Sequence, residues 1–587
     1  MRRFVSHSST PARSSPALTR RELLRDALIC TTLSPALHSI ANAPVASDAD
    51  PIARTAYGRV RGTAVPGLNI FKGIPYGAST EGERRFLPPE SPESWSGVRD
   101  ALGYGPLAPQ SLTEVQYQRS TVQNANLREL ESLFAGSSRS RTPRMSEACL
   151  TLNLWVPSDM DPNLKRPVMV WLHGGGFSGG SSDAPWTDGT NLARQYGTIV
   201  VSLNHRLNIF GHFYLGDVAG PKYSESGNVG LLDIVAALRW IHDNIRAFGG
   251  DRDNVTIFGQ SGGGGKVIAL MGMPAAKGLF HKTISQSGPY LRGIAREDAA
   301  RTTDHVLRHL GLQNNELEAL QQIPPSRLMA AMNAVLDPTA LPEWLADWVT
   351  WSAVFAPVVG DTALPNDPFF PSAPDLSADI PMIVGTTGTE LSSFDQSFGD
   401  SELYHRVALL GFDDAQGHRL VAAYRSAHAR ASACDIFHDI ASDRLCRAFV
   451  IKQADLKALQ GRAPVYMYLF SYNPPAFGGK YKSIHGIDLP FVFDNLDKAP
   501  GFWGTSPLAQ HQALAEKVSG AWAAFAKTGN PGHVGQAKWE PYSLHRRATM
   551  VFDRQCQLSH HVREPDRLNI ERFFMRDCER RPSISST

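Results

Sequence analysis

The chain has 587 residues, of which 42% are hydrophobic, 19% charged and 9% aromatic, a composition that can bury a large core without disulfide staples. Lys+Arg 58 against Asp+Glu 56 gives a net charge of +2 with no basic block, which argues against a nucleic-acid footprint. No apolar run reaches about 18 residues, so no membrane-spanning helix is expected, and hydrophobicity is too evenly spread for disorder.

Residues 1–43 read as a twin-arginine export signal. Thr19-Arg20-Arg21-Glu22-Leu23-Leu24-Arg25 precedes a modest apolar segment, and Ala41-Asn42-Ala43 matches a small-x-small cleavage site. Asp26 departs from the pattern by placing a charge at the edge of the apolar region. Cleavage after Ala43 removes six basic and two acidic residues and leaves 52 against 54, so the basic surplus belongs to the leader. The expected location is periplasmic or secreted. Six cysteines (Cys30, Cys149, Cys434, Cys446, Cys556, Cys578) lack any CxxC or Cys/His spacing for zinc. Cys434 and Cys446 are the pair that proximity favours for a disulfide.

Beyond the leader, short apolar runs bounded by Gly, Pro, Asn and Asp alternate with amphipathic stretches. Residues 167–172, 198–203, 255–258, 283–286 and 382–384 read as buried strands. Between them, residues 231–248 repeat apolar side chains at three and four (Leu231, Leu232, Val235, Leu238, Ile241, Ile245), which predicts a helix. Such alternation predicts a mostly parallel sheet covered on both faces. Residues 111–145 and 300–350 read as excursions from it, the second largely helical.

Two glycine-rich turns follow predicted strands. Gly259-Gln260-Ser261-Gly262-Gly263 closes the 255–258 run, and Lys266-Val267-Ile268-Ala269-Leu270 can open a helix. Strand, sharp turn and helix are the setting of a nucleophile elbow, where small neighbours let the backbone double back and lift a serine hydroxyl clear. A phosphate loop fits poorly, because no Lys-Ser or Lys-Thr ends the turn. Earlier, Trp171-Leu172-His173-Gly174-Gly175-Gly176-Phe177 offers consecutive amides that can converge on an oxyanion. Gly174-x-Gly176-x-x-Gly179 also fits a dinucleotide pattern, but the next strand ends in Ser202-Leu203-Asn204-His205-Arg206 without an acidic ribose ligand.

From about residue 51 to 555 the sequence resembles the type-B carboxylesterase/lipase family of the α/β-hydrolase fold, which includes cholinesterase-like proteins. The resemblance is carried by Phe71-Lys72-Gly73-Ile74-Pro75-Tyr76, by Ser146-Glu147-Ala148-Cys149-Leu150-Thr151-Leu152-Asn153, by the run from Gly227 to the elbow, and by Phe525-Ala526-Lys527-Thr528-Gly529-Asn530-Pro531. It implies one domain over 44–578 with helical insertions, followed by a tail at 579–587. It also implies Glu390 (in Gly385-Thr386-Thr387-Gly388-Thr389-Glu390) as catalytic acid and His485 (in His485-Gly486-Ile487-Asp488-Leu489) as base, in the order Ser261, Glu390, His485. Gly175, Gly176 and Gly262 would face the oxyanion, Ser287 would support the acid, and no cofactor or metal would be needed. Asp488 is a competing acid, expected instead to cap or hydrogen-bond near its loop.

The implied activity is ester hydrolysis through an acyl-serine intermediate. A lipase, amidase or lactonase of the same fold, or a catalytically silent binding protein, are the alternatives. Three departures from the family bear on substrate and disulfides. Gln260 replaces the usual Glu before the nucleophile, and 111–145 contains no Trp, so a neutral small-molecule ester is expected rather than a choline ester. Ala108 replaces the family cysteine before Pro109-Gln110, so Cys149 lacks its usual partner.

Overall fold

Strands form here because β-branched and aromatic residues alternate between two apolar layers. On the strand Arg166–Leu172, Val168, Val170 and Leu172 enter one buried cluster while Met169 and Trp171 enter the other. The strand Ile199–Leu203 divides the same way, with Val200 facing opposite to Ile199, Val201 and Leu203. Burial on both faces gives the near-continuous hydrophobic runs seen in the sequence.

The computed structural model describes residues 50–579 except 111–128, 130–132, 134–143, 160, 162, 314–315, 336–353, 393–396, 507, 534 and 536. Its strands are β1 (Ile52–Thr55), β2 (Gly58–Arg61), β3 (Thr63–Val65), β4 (Leu68–Pro75), β5 (Val98–Asp100), β6 (Thr151–Pro157), β7 (Arg166–Leu172), β8 (Ile199–Leu203), β9 (Gly250–Gln260), β10 (Lys282–Gln286), β11 (Met382–Thr387), β12 (Val465–Phe470), β13 (Thr549–Phe552) and β14 (Gln557–Ser559). β1, β2 and β5 form a small sheet, and the others one sheet in the order β14-β13-β12-β11-β10-β9-β7-β8-β6-β4-β3. Neighbours from β8 to β13 are parallel, and the strands outside them pair antiparallel. The expected mostly parallel sheet of an α/β-hydrolase fold is therefore present. β4 and β6 escaped the sequence reading because a bulge at Lys72-Gly73 and the buried Asn153 interrupt their apolar pattern.

Helices Val229–Asn244, Gly262–Met271 and Ala448–Gln460 bury their apolar sides on one face of the sheet. Thr190–Tyr196 and Ala509–Thr528 cover the other. The chain runs from β7 outward to β8, then crosses back to place β9 on the opposite side of β7. A crevice opens at the carboxyl ends of two strands where the winding direction reverses in this way, and both glycine-rich turns lie there.

Several expectations concern other regions. The leader 1–43, with Cys30, lies outside the described residues, as does nearly all of 111–145. Of 300–350, the described part is helical at Arg296–Leu310, Leu317–Gln322 and Pro325–Val335. Glu579, the first residue of the expected tail, is held by Lys452 and Arg292; residues 580–587 lie outside the described residues. Cys434 and Cys446 are not joined. The first sits on helix Ala433–Ser442 with its sulfur 3.6 Å from His438 Nε2, and the second is buried on the next turn beside Glu390. Cys149 is a buried thiol, in keeping with Ala108. Among the described residues no helix is long and apolar enough to cross a membrane.

Arg206, just after β8, donates through Nε and a terminal nitrogen to Asp233 of helix Val229–Asn244 at 2.9 and 2.6 Å. Both side chains are buried. Replacing Asp233 by Ala leaves an unpaired guanidinium in the core. Urea unfolding of Asp233→Ala is expected to show a loss of about 3–5 kcal/mol.

Candidate active site

Ser261 follows the last residue of β9 with φ 59° and ψ −126°, a strained conformation for a residue with a Cβ. Its amide donates to Gln286 O on β10 at 2.8 Å, and its carbonyl accepts the first helical bond from Gly265. The neighbours must be small. A Cβ on Gly259 would lie 2.6 Å from Gly263 O, and one on Gly263 would overlap Leu172 O at the end of β7.

The second glycine turn packs against this elbow. A Cβ on Gly262 would overlap the backbone of Gly176, so the two chain segments meet directly. Gly175 and Gly176 take φ values of 86° and 59°. Among the described residues nothing accepts from their amides. The Gly262 amide opens a helix and has no helical acceptor. The turn is braced from both ends. His173 Nδ1 bonds to Gly174 O at 2.9 Å, Gln110 bonds both the amide and the carbonyl of Gly180, and Asn208 donates to Ser178 O at 3.0 Å.

Glu390 follows β11 and His485 follows β12, so both reach the same sheet edge as Ser261. His485 Nδ1 lies 2.5 Å from Glu390 Oε2. Glu390 Oε1 accepts from Ser287 Oγ at 2.6 Å and from the Thr387 amide at 2.8 Å. Burial by itself would raise this carboxyl, but the His485 charge and the three hydrogen bonds bring it below its ordinary value. Ser287, at φ 46°, stands at the end of β10 as Ser261 does at the end of β9. An oriented imidazole, a buried carboxylate, a strained serine and three unengaged amides can together carry out acyl transfer. Among the described residues no cluster of three His, Cys, Asp or Glu side chains could hold a metal ion.

The model of the carboxylesterase family matches residues 49–569. The chain belongs to the carboxylesterase family. Para-nitrobenzyl esterase of Bacillus subtilis is 35% identical over 512 residues, covering 86% of this chain and 96% of that protein. Phenmedipham hydrolase of Pseudarthrobacter oxydans is 32% identical, covering 89% and 99%. Among solved structures, a thermophilic para-nitrobenzyl esterase superposes with a TM-score of 0.72 at 32% identity, covering 88% of this chain and 99% of its own. A carboxylesterase of Geobacillus stearothermophilus gives 0.70 at 32%, with the same coverage. This carboxylesterase is thus a carboxylic ester hydrolase of the α/β-hydrolase fold.

Two features of the esterase site, the contacts of Gln260 and of the turn 443–447, were not foreseen, and the hydrogen-bonding of Asp488 was foreseen without its partners. Gln260 Nε2 lies 2.9 Å from His485 Nε2, the ring nitrogen turned away from Glu390. Asp488 precedes the helix Leu489–Val492 without capping it; its Oδ2 accepts from Gln286 Nε2 at 2.8 Å and Tyr468 Oη at 3.0 Å. Arg447, on the π-helical turn Asp443–Arg447, donates to Gly388 O at 2.9 Å, and Ser442 Oγ accepts from the Leu391 amide. That wide turn therefore holds the acid-bearing loop, and such turns recur at functional sites. Nothing in residues 442–447 announces it, since a π turn has no composition of its own. In the family motif at 146–153, Glu147 proves structural: it pairs with buried Arg85, which also donates to Leu320 O and Ile323 O.

Burial pushes the Asp488 carboxyl up to about 6. An acid raised above its unfolded value favours the native state as pH falls, between about 6 and its ordinary range near 4. Asparagine lacks that dependence. The Tm of Asp488→Asn relative to wild type is therefore expected to be more favourable at pH 8 than at pH 5. Ser287→Ala removes one of the bonds to Glu390 and is expected to lower kcat about tenfold with KM little changed. Steady-state kinetics on a nitrophenyl ester checks this.

Proposed function

We propose that Ser261 is the nucleophile, His485 the general base and acid, and Glu390 the carboxylate that orients the imidazole, with the amides of Gly175, Gly176 and Gly262 receiving the oxyanion. The observation that carries this reading is the His485–Glu390 bond on the sheet edge where Ser261 emerges. His485 Nε2 takes the serine proton as the hydroxyl attacks an ester carbonyl, then returns it to the leaving alkoxide. Water repeats the cycle on the acyl-serine. Gln260 and Ser261 compete for Nε2, so the Gln260 amide yields that nitrogen as substrate enters.

The substrate we propose is a small neutral ester. Gln260 brings an amide rather than a carboxylate to the base, which removes a charge that would attract a cationic alcohol. A relative named for para-nitrobenzyl esters supports the same class. We also propose export of the chain by the twin-arginine route, on the strength of Arg20-Arg21 and Ala41-Asn42-Ala43. A mature N-terminus near residue 44 in a periplasmic fraction supports it, and retention of residues 1–43 in the cytoplasm overturns it.

Ser261→Ala is expected to lower kcat on a nitrophenyl ester by about 10⁴-fold or more and to abolish covalent labelling by an organophosphate. Activity that survives the substitution excludes Ser261 as nucleophile. For substrate class, acetylcholine is compared with its uncharged isostere 3,3-dimethylbutyl acetate. The neutral ester is expected to have the higher kcat/KM, and preference for the cation refutes this reading. An acyl-chain series on the same enzyme separates esterase from lipase behaviour.

A further inference from the structure

Lys266 lies five residues after Ser261 on the helix Gly262–Met271 and is fully buried. Lysine is almost never found so deep without a partner charge. Here its ammonium donates to one protein acceptor, His173 O, at 2.9 Å. That carbonyl stands at the root of the Gly174-Gly175-Gly176 turn. Among the described residues no carboxylate pairs with Lys266, and burial alone lowers its pKa, to about 7.

The groups that face it cannot balance its charge. The rings of His173, at the end of β7, and His205, after β8, stack 4.9 Å apart at 13°. Burial first, and the Lys266 charge second, hold both well below their ordinary pKa. His212 is held at about 3 by burial. Each ring spends Nδ1 on a backbone carbonyl, of Gly174, Arg206 and Gly227 respectively. The nearby Arg206 is already paired with Asp233. A methionine could fill the same volume without the desolvation cost, so the buried ammonium calls for a compensating negative charge, and none of the described residues supplies one.

We propose that Lys266 is a positioning residue for ester hydrolysis: it anchors the root of the glycine turn and sets an unbalanced positive charge behind the oxyanion cradle. The negative charge that complements it is the one that develops during acyl transfer. This rests on the assignment of Ser261 and the three amides given above. Burial pushes the Lys266 ammonium down to about 7, so that in mildly alkaline solution a neighbouring negative charge can draw a proton onto it. Formation of the oxyanion favours the charged form, so in mildly alkaline solution a proton is taken up as the adduct forms.

The test uses an aryl trifluoromethyl ketone, whose carbonyl carbon bonds to the serine oxygen to give an anionic hemiketal while the serine proton passes to His485. That transfer is internal and exchanges no proton with solvent. Titration calorimetry at pH 8 in two buffers of different ionisation enthalpy reads net proton uptake. Wild type is expected to take up a measurable fraction of one proton, and Lys266→Met none. Lys266→Met is also expected to lose at least tenfold in kcat at pH 6.5 with KM within about twofold, and Lys266→Arg to recover part of that loss.

No proton uptake by wild type on adduct formation overturns the proposal, and this measurement needs no variant to fold. Equal uptake by a folded Lys266→Met, or unchanged kcat, also overturns it. If the ketone forms no adduct with wild type and Ser261→Ala stays active, it is the serine assignment that fails, and this proposal falls with it.

Discussion

The site depends on one close approach of two backbones. Gly262 and Gly263 open the helix after β9 and press against the chain leaving β7, so tightly that a Cβ on either would overlap Gly176 or Leu172. This contact is possible because β7 and β9 are hydrogen-bonded neighbours whose onward connections diverge. The winding reversal creates the crevice, and the missing side chains let its walls close until the backbones of the two turns touch. The positive φ of Ser261 belongs to the same constraint, because the chain must reverse within one residue to enter the helix. That strain is held by the bond to Gln286 on one side and the first helical bond on the other.

The sheet also sorts the site's charges. Glu390 and Asp488 are both buried carboxyls near His485, yet their environments drive them apart. Glu390 accepts three hydrogen bonds and faces the imidazole, which offsets its burial. Asp488 accepts two bonds from neutral donors, and burial prevails. Two buried acids beside one imidazole are thus shifted in opposite directions. The hydrogen bonds to Glu390 make that difference, and they come from Ser287 at the end of β10, from Thr387 of β11 and from His485 in the loop after β12.

How much of this could be read in the sequence follows from how local each signal is. The strands β7 to β11 were legible because a two-sided burial leaves unbroken apolar runs, and the elbow because steric crowding at Gly259, Gly262 and Gly263 writes itself as small residues within a few positions. Glu390 and His485 were visible only through family resemblance, since nothing in their own neighbourhoods marks one carboxylate or one imidazole among many. Their meeting is a product of sheet order, which brings residues 95 positions apart to 2.5 Å. The partners of Asp488, the π turn under Gly388 and the burial of Lys266 were invisible for the same reason. A lysine opening an apolar helix looks like a surface residue until the packing of that helix is known.

Gln260 shows why a motif's variable position can matter as much as its fixed ones. In Gly-x-Ser-x-Gly the second residue ends β9, and its side chain lies beside the His485 imidazole that follows β12. A carboxylate there would favour a protonated imidazole at rest. An amide there brings no charge; it lies 2.9 Å from Nε2, while Nδ1 meets Glu390. On the mechanism proposed above, substrate binding must contribute the free energy that moves this amide away from His485 Nε2.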